Sequence, residues 1–227
     1  MVIILPIIGI TSKLEFEISY LLNFFNSKYN IKIIYITFLQ AFLSAIFSCI
    51  IAIPFALSLY RHKNSRIIKL IVSLCGYSFV IPSILIVYSV IGIYGRNGLL
   101  NNLINFYNLL DIKSLFGLKA ILIAHILLNA PFATRLFFQN LNTIPKNYIE
   151  VANSLNLGFW SNLNKIEWPI LKQNLFSVFA IIFVLCFLSF AIVMALGGGP
   201  STSTMEVSIY QSALFELNFN KAIILSF

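Results

Sequence analysis

Apolar positions in this chain fall in long unbroken runs, not in alternating or one-faced patterns. Charge-free runs cover 28 residues at 33–60, 26 at 70–95 and 22 at 175–196, where about 20 apolar helical residues reach across the hydrocarbon of a bilayer. Each run predicts a spanning helix. A fourth run, 120–134, has only 15 uncharged residues and spans only if it continues past Arg135, whose long stem can snorkel toward the interface. The runs exceed any ordinary strand, and every backbone amide in a membrane must be satisfied internally, so the expected fold is an all-α, polytopic transmembrane helix bundle. Pro54, Pro82 and Pro131 lie within or near the middle of spans, where a missing N–H and a ring clash predict kinks.

Composition agrees with the pattern: 59% of the 227 residues are hydrophobic and 10% charged, against about 25% charged in a soluble chain. The net charge of +8 sits in short loops between apolar runs, which reads as membrane topology and not as nucleic-acid binding. Arg61, Lys63, Arg66 and Lys69 crowd into one loop, which is therefore expected in the cytoplasm. Alternation then puts 96–119 outside and 139–174 inside. Cys49, Cys75 and Cys186 fall within apolar runs with no spaced loop pair, so neither a disulfide nor a metal site is expected. Residues 99–110 have the spacing of a short interfacial helix. The apolar stretches at 1–10 and 222–227 are each too short to span, and the first lacks the features of a signal peptide. One permease-like membrane domain over 1–227, incomplete at both ends, is the expected organisation.

The inner segment 143–169 is amphipathic, which calls for a partner. Thr143 is placed to cap a helix whose first turn tolerates Pro145, and Tyr148, Val151, Ala152 and Leu155 follow the spacing of one apolar face. Asn156 and Gly158 supply a left-handed stop, after which Leu163 and Ile166 continue apolar contacts until Pro169 ends a second helix. Glu150, Val151 and Ala152, followed at fixed spacing by Asn156, Ile166 and Pro169, resemble the Glu-Ala-Ala coupling motif of binding-protein-dependent ABC permeases. Asn156 stands where that motif has glycine, and Trp168 replaces the residue before the proline. Asparagine is the commonest non-glycine residue in a left-handed turn, which keeps the turn feasible.

Further stretches are similar to the thiamine permease family, in the same order: QAFLSA at 40–45, LYR at 59–61, YGRNG at 94–98, EWP at 167–169, LGGGP at 196–200, Glu206, and IYQ at 209–211. The likeness corresponds to the first half of that family's two-repeat protein. It implies a transporter subunit of the ABC importer permease type in the bacterial inner membrane, with no cofactor and no catalysis of its own. Implied partners are a cytoplasmic ATP-binding subunit, docked by the coupling segment, and a periplasmic substrate-binding protein that delivers thiamine or thiamine phosphates. The iron(III) importer permease, with the same two-repeat plan, and a truncated non-transporting relic are the alternatives.

Other polar features weigh less. His125 and Asn129, one turn apart at membrane depth, are weak candidates for substrate contact, since a helix-to-helix hydrogen bond is at least as common. Arg96 and Arg135 are simplest as interfacial anchors. Gly197, Gly198 and Gly199 before Pro200 lack the lysine and spacing of a nucleotide loop and read as a helix-ending turn. An enzyme is disfavoured because no nucleophile and base are placed together. A proton-coupled secondary transporter is disfavoured because the predicted spans hold no Asp or Glu.

Overall fold

The computed structural model describes residues 27–95, 98–99, 116–197, 199 and 202–226. Helix α1 covers Lys28–Arg61; α2, Arg66–Tyr77; α3, Ser83–Tyr94; and α4, Leu118–Leu141. The short α5 covers Lys146–Ser154 and α6 Phe159–Asn162. A π-helical turn at Leu163–Glu167 leads into α7, Trp168–Phe187. Then come α8, Phe190–Leu196, α9, Met205–Leu214, and α10, Phe219–Ser226. No strand occurs among the described residues, as the all-α reading expects. The interfacial helix expected at 99–110 lies almost wholly outside the described residues, and so does the segment 1–10.

Three helices among the described residues are long and apolar enough to cross a membrane: Lys28–Arg61, Leu118–Leu141, and Phe159–Phe187 taken through its π-turn. The fourth run is thus a full helix that continues past Arg135 to Leu141. Two of the other runs are interrupted. The run 70–95 divides at residues 78–82, where Pro82 adopts extended backbone (ψ 129°) and precedes α3; a residue without an N–H cannot continue the ladder. The run 175–196 divides at Leu188 and Ser189, with no proline to mark the place. Pro54 and Pro131, by contrast, are carried inside α1 and α4.

Packing follows side-chain size. Ala41, Ala45, Ala52 and Ala56 are fully buried along one stripe of α1. Small residues let helix backbones approach closely, the main route to tight association where lipid is as apolar as the protein interior. Against that stripe lie Ala133, Phe137 and Leu141 of α4 with Leu171, Val178 and Ile182 of α7, forming one core cluster. A second cluster joins Val87 and Val90 of α3, Ala120, Ile121 and Ala124 of α4, and Ile192, Val193 and Leu196 of α8. Two backbone contacts close that end: Gly117 N–H donates to the Leu196 carbonyl at 2.8 Å, and Met205 N–H donates to the Thr37 hydroxyl at 2.9 Å. Gly117 has φ 106°, a conformation that disfavours any side chain.

The basic loop after α1 lies at the end of the bundle that carries α5 and the π-turn, because Arg61 pairs there with Glu167. In intact cells, a cysteine at the exposed Ser65 in a background lacking Cys49, Cys75 and Cys186 is expected to react with an impermeant maleimide only after permeabilisation. Labelling from outside would overturn the topology.

Candidate functional site

At one end of the bundle α4 stops at Leu141, and the chain turns through Asn142 to Ile144, whose buried side chain pins the turn to the core. Thr143 does not cap the next helix: its hydroxyl donates to the Asn140 carbonyl at 2.7 Å, back on α4. The amphipathic helix α5 begins instead at Lys146, directly after Pro145.

The expected single apolar face of α5 is divided in two. Tyr148, Val151 and Leu155 point outward, 61%, 57% and 66% exposed, whereas Ala152 is 3% exposed and Ile149 packs on the core. Ala152 sits on the flank turned toward its own chain, so the motif's alanine is where α5 meets the bundle. Glu150 is exposed, and among the described residues no ion pair involves it.

Asn156 has φ 49°, the left-handed conformation expected from its place in the motif. Leu157 N–H donates to the Ala152 carbonyl at 3.0 Å, the long bond that closes a helix in a Schellman turn. Gly158 does not share the left-handed stop; it is extended (φ −65°, ψ 165°) and precedes α6. Phe159 and Trp160 follow, 60% and 71% exposed, so five apolar side chains face outward from this short helix, turn and helix.

The second helix does not end at Pro169. Pro169 occupies the first turn of α7, and α6, the π-turn and α7 form one continuous helix. Proline lacks the N–H that would bond the carbonyl of Lys165, and its ring would crowd that carbonyl. The chain widens just before it into a π-turn, with Trp168 N–H donating to the Leu163 carbonyl, as π-bulges do where the α ladder is interrupted. Ile166 packs against the core from this turn.

The π-turn also presents Glu167, 2% exposed. Arg61 grips it with both arms: Nε donates to Oε1 at 3.0 Å and an Nη to Oε2 at 2.6 Å. The guanidinium lies 3.8 Å from the centre of the Phe159 ring. A buried carboxylate is tolerable only when paired in this way, and a planar fork meets it best. Sequence reasoning noted LYR and EWP as separate stretches and missed that their charged residues pair.

Nearer the opposite end, the two helix breaks meet. His125 Nδ1 is 2.9 Å from the Ser44 hydroxyl and Nε2 is 2.8 Å from the Ser189 hydroxyl. Asn129 Nδ2 donates to Cys186 Sγ at 3.2 Å, and Gln40 Nε2 to the Cys186 carbonyl at 3.0 Å. The helix-to-helix bonds are therefore made, yet His125 and Asn129 also line a partly open cavity of about 110 Å³ with Ser78, Phe79, Phe132 and Ser189. Ser78 and Phe79 come from the first break, Ser189 from the second. The sequence reading gave no contact to Gln40 and Ser44, quoted there only within QAFLSA, and did not single out Ser189. The first two were detectable as a polar stripe, Thr37, Gln40, Ser44 and Ser48, at helical spacing within an apolar run.

A helix, turn and helix at the end of a bundle with interrupted spans is the arrangement of a transport permease. Residues 37–227 match the family of binding-protein-dependent transport system inner membrane components, and the chain belongs to that family. It is 38% identical over 198 residues to the thiamine transport system permease protein ThiP of Haemophilus influenzae, covering 87% of this chain and 37% of that relative. It is 38% identical over 190 residues to ThiP of Escherichia coli (strain K12), covering 84% and 35%. The chain thus spans a little over a third of the length of these relatives. Its fold is also similar to a bacterial ABC transporter involved in the import of the acidic polysaccharide alginate, with a TM-score of 0.83 at 17% identity over 97% of this chain and 82% of that one.

Glu167→Gln leaves the Arg61 guanidinium without its counter-charge and is expected to lower stability by about 1–3 kcal/mol, read as an earlier thermal midpoint in detergent. Combined with Arg61→Met it should cost less than the sum of the single changes. Asn156→Gly should be neutral or mildly stabilising, whereas Asn156→Ala should cost about 1 kcal/mol, because alanine keeps the Cβ but loses the short amide side chain that makes the left-handed conformation tolerable for asparagine.

Proposed function

We propose that this chain is a membrane-embedded part of an ATP-driven bacterial importer for thiamine and its phosphates, residing as a multi-pass protein in the inner membrane. The observation that carries the substrate reading is its 38% identity to thiamine permeases across most of the chain. The single permease domain over 1–227 contributes part of the translocation path. It turns segment 143–169 to a cytoplasmic ATP-binding subunit and its other side to a periplasmic substrate-binding protein. A bacterial alginate ABC transporter has been solved in complex with such a periplasmic protein, which supports that partnership by analogy.

Coupling rests on the exposed face of α5 and α6. Tyr148, Val151 and Leu155, with Phe159 and Trp160, form an apolar surface that a groove on the ATPase would cover. Glu150 borders it. Ala152, Ile166 and Pro169 support the face from behind, and Asn156 with Gly158 fixes the angle between the two helices. Because Arg61 locks the base of α6 to α1, movement of this lever is transmitted to two spans together. ATP binding in the partner then favours one access state of the path over the other.

Two variants separate docking from folding. Val151→Arg places a charge on the outward face and is expected to abolish ATPase co-purification and thiamine uptake while leaving the thermal midpoint unchanged. Ala152→Arg should lower that midpoint, since overpacking a buried contact costs about 1–3 kcal/mol. Normal ATPase binding with Arg at position 151 would refute the docking face. Stimulation of the assembled importer by iron(III)-loaded binding protein, and not by thiamine or its phosphates, would replace the substrate.

A further inference from the structure

The face of α1 turned away from the core has an order of its own. Lys28, Lys32, Tyr35, Leu39 and Phe42 recur at the spacing of one helical stripe, and all but the half-buried Leu39 are exposed. The basic loop after Arg61 defines one side of the bundle; the two lysines stand at the opposite end of α1, where cations are ordinarily sparse. Among the described residues neither lysine forms an ion pair. Like charges one helical turn apart repel each other, so this pair on one stripe favours an anion between them.

Further along, the same stripe opens into a groove between α1 and α7. Tyr35, Phe38, Leu39 and Phe42 form one wall and Phe179 and Phe183 the other, around an open space of about 380 Å³. The rings hold one another in place: Phe42 meets Phe179 edge-on with 5.6 Å between ring centres, and Phe38 meets Phe187 at 5.2 Å. Rings locked in this way make a rigid wall, and a preformed groove loses little side-chain freedom when it is filled. Lipid is as apolar as these side chains, so exposure alone selects no occupant; the concave shape and the charge above it do. Lys32 and Lys28 lie six and ten residues before Phe38, about 9 and 15 Å along the helix axis, within the depth of one leaflet at about 15 Å. Cations and groove are therefore spaced as the headgroup and chain of a single phospholipid are.

We propose that this stripe and groove bind one anionic phospholipid, an acyl chain lying between the rings of α1 and α7 and the phosphate held by Lys28 and Lys32. Ammonium groups on flexible stems reach a phosphate without a fixed geometry. Tyr35 stands between the lysines and the phenylalanines, where an amphipathic ring suits the boundary between headgroup and chain. A zwitterionic phospholipid has the same chains and phosphate, but its own ammonium cancels the charge that the lysines attract. The site therefore selects a headgroup of net negative charge. Because the chain lies against both α1 and α7, its binding stabilises their pairing by mass action.

The test uses the full chain purified from membranes in maltoside with any subunits that accompany it, stripped of lipid and titrated with phosphatidylglycerol or phosphatidylcholine, bound lipid being counted by native mass spectrometry. One phosphatidylglycerol is expected to be retained at about tenfold lower concentration than phosphatidylcholine, with a rise in the thermal midpoint, since each cation near an anionic headgroup is worth about fivefold. Lys28→Gln combined with Lys32→Gln should abolish that preference. Leu39→Trp, which fills the groove and leaves both lysines in place, should weaken retention of both lipids while leaving the lipid-free midpoint unchanged. Phe42→Ala, which removes part of one wall, should weaken retention likewise and keeps the test independent of how the tryptophan packs. Equal retention of the two lipids by the unmodified chain would overturn the proposal, as would a preference that survives the double lysine change or retention that neither groove variant alters. A dimer that forms on removal of lipid and that Leu39→Trp breaks would assign the groove to a second copy of the chain and overturn it too.

Discussion

A buried carboxylate has to be met by a cation in good geometry or it does not stay charged and buried, and Glu167 imposes that constraint on this fold. Arg61 meets it across 106 residues of sequence, with the ring of Phe159 covering the guanidinium. Three pieces of chain are arrested by one cluster: the last turn of α1, the start of α6 and the widened turn before α7. A basic residue in the last turn also suits the partial negative charge of the α1 terminus. The amphipathic helix α5 is suspended between this cluster and the end of α4, pinned by Ile144 and Ala152. Its exposed face therefore has a fixed place relative to two spans.

What could be read from the sequence divides along physical lines. Hydrophobic run length is set by bilayer thickness, so the positions of α1, α4 and α7 were visible in it. Interruptions within a run are a different matter. Pro82 announces the first, but Leu188 and Ser189 carry no proline or glycine, and the second break becomes intelligible only from the partner that Ser189 finds in His125, 64 residues away. The left-handed turn at Asn156 was legible because backbone conformation is a local property. The burial of Ala152 was not, because spacing places a residue on a face without saying what that face meets. Arg61 and Glu167 were both present in noted stretches, and only the fold pairs them.

Helix α1 carries two stripes that do different jobs. Its alanines bring α4 close. Its polar stripe reaches three other elements: Thr37 accepts from the start of α9, Gln40 donates to α7 near its break, and Ser44 meets His125 of α4. The Gln40 side-chain carbonyl oxygen and the Ser48 hydroxyl are buried among the described residues without partners. Such groups carry a desolvation cost that a second arrangement of the helices can relieve.

The π-turn at Leu163–Glu167 amounts to one residue more than an α-helix needs over the same rise. Each residue turns an α-helix by about 100°. Deleting a single residue from 163–166 would turn the widened segment into ordinary helix and swing everything before it by roughly that angle relative to α7. Phe159 would then leave the Arg61 guanidinium, and Trp160 would face a new direction. The insertion thus acts as a gauge of rotational phase between α7 and the α5–α6 surface that precedes it. Removing that residue would present a different surface at this end of the bundle, even if every side chain on α5 and α6 were identical.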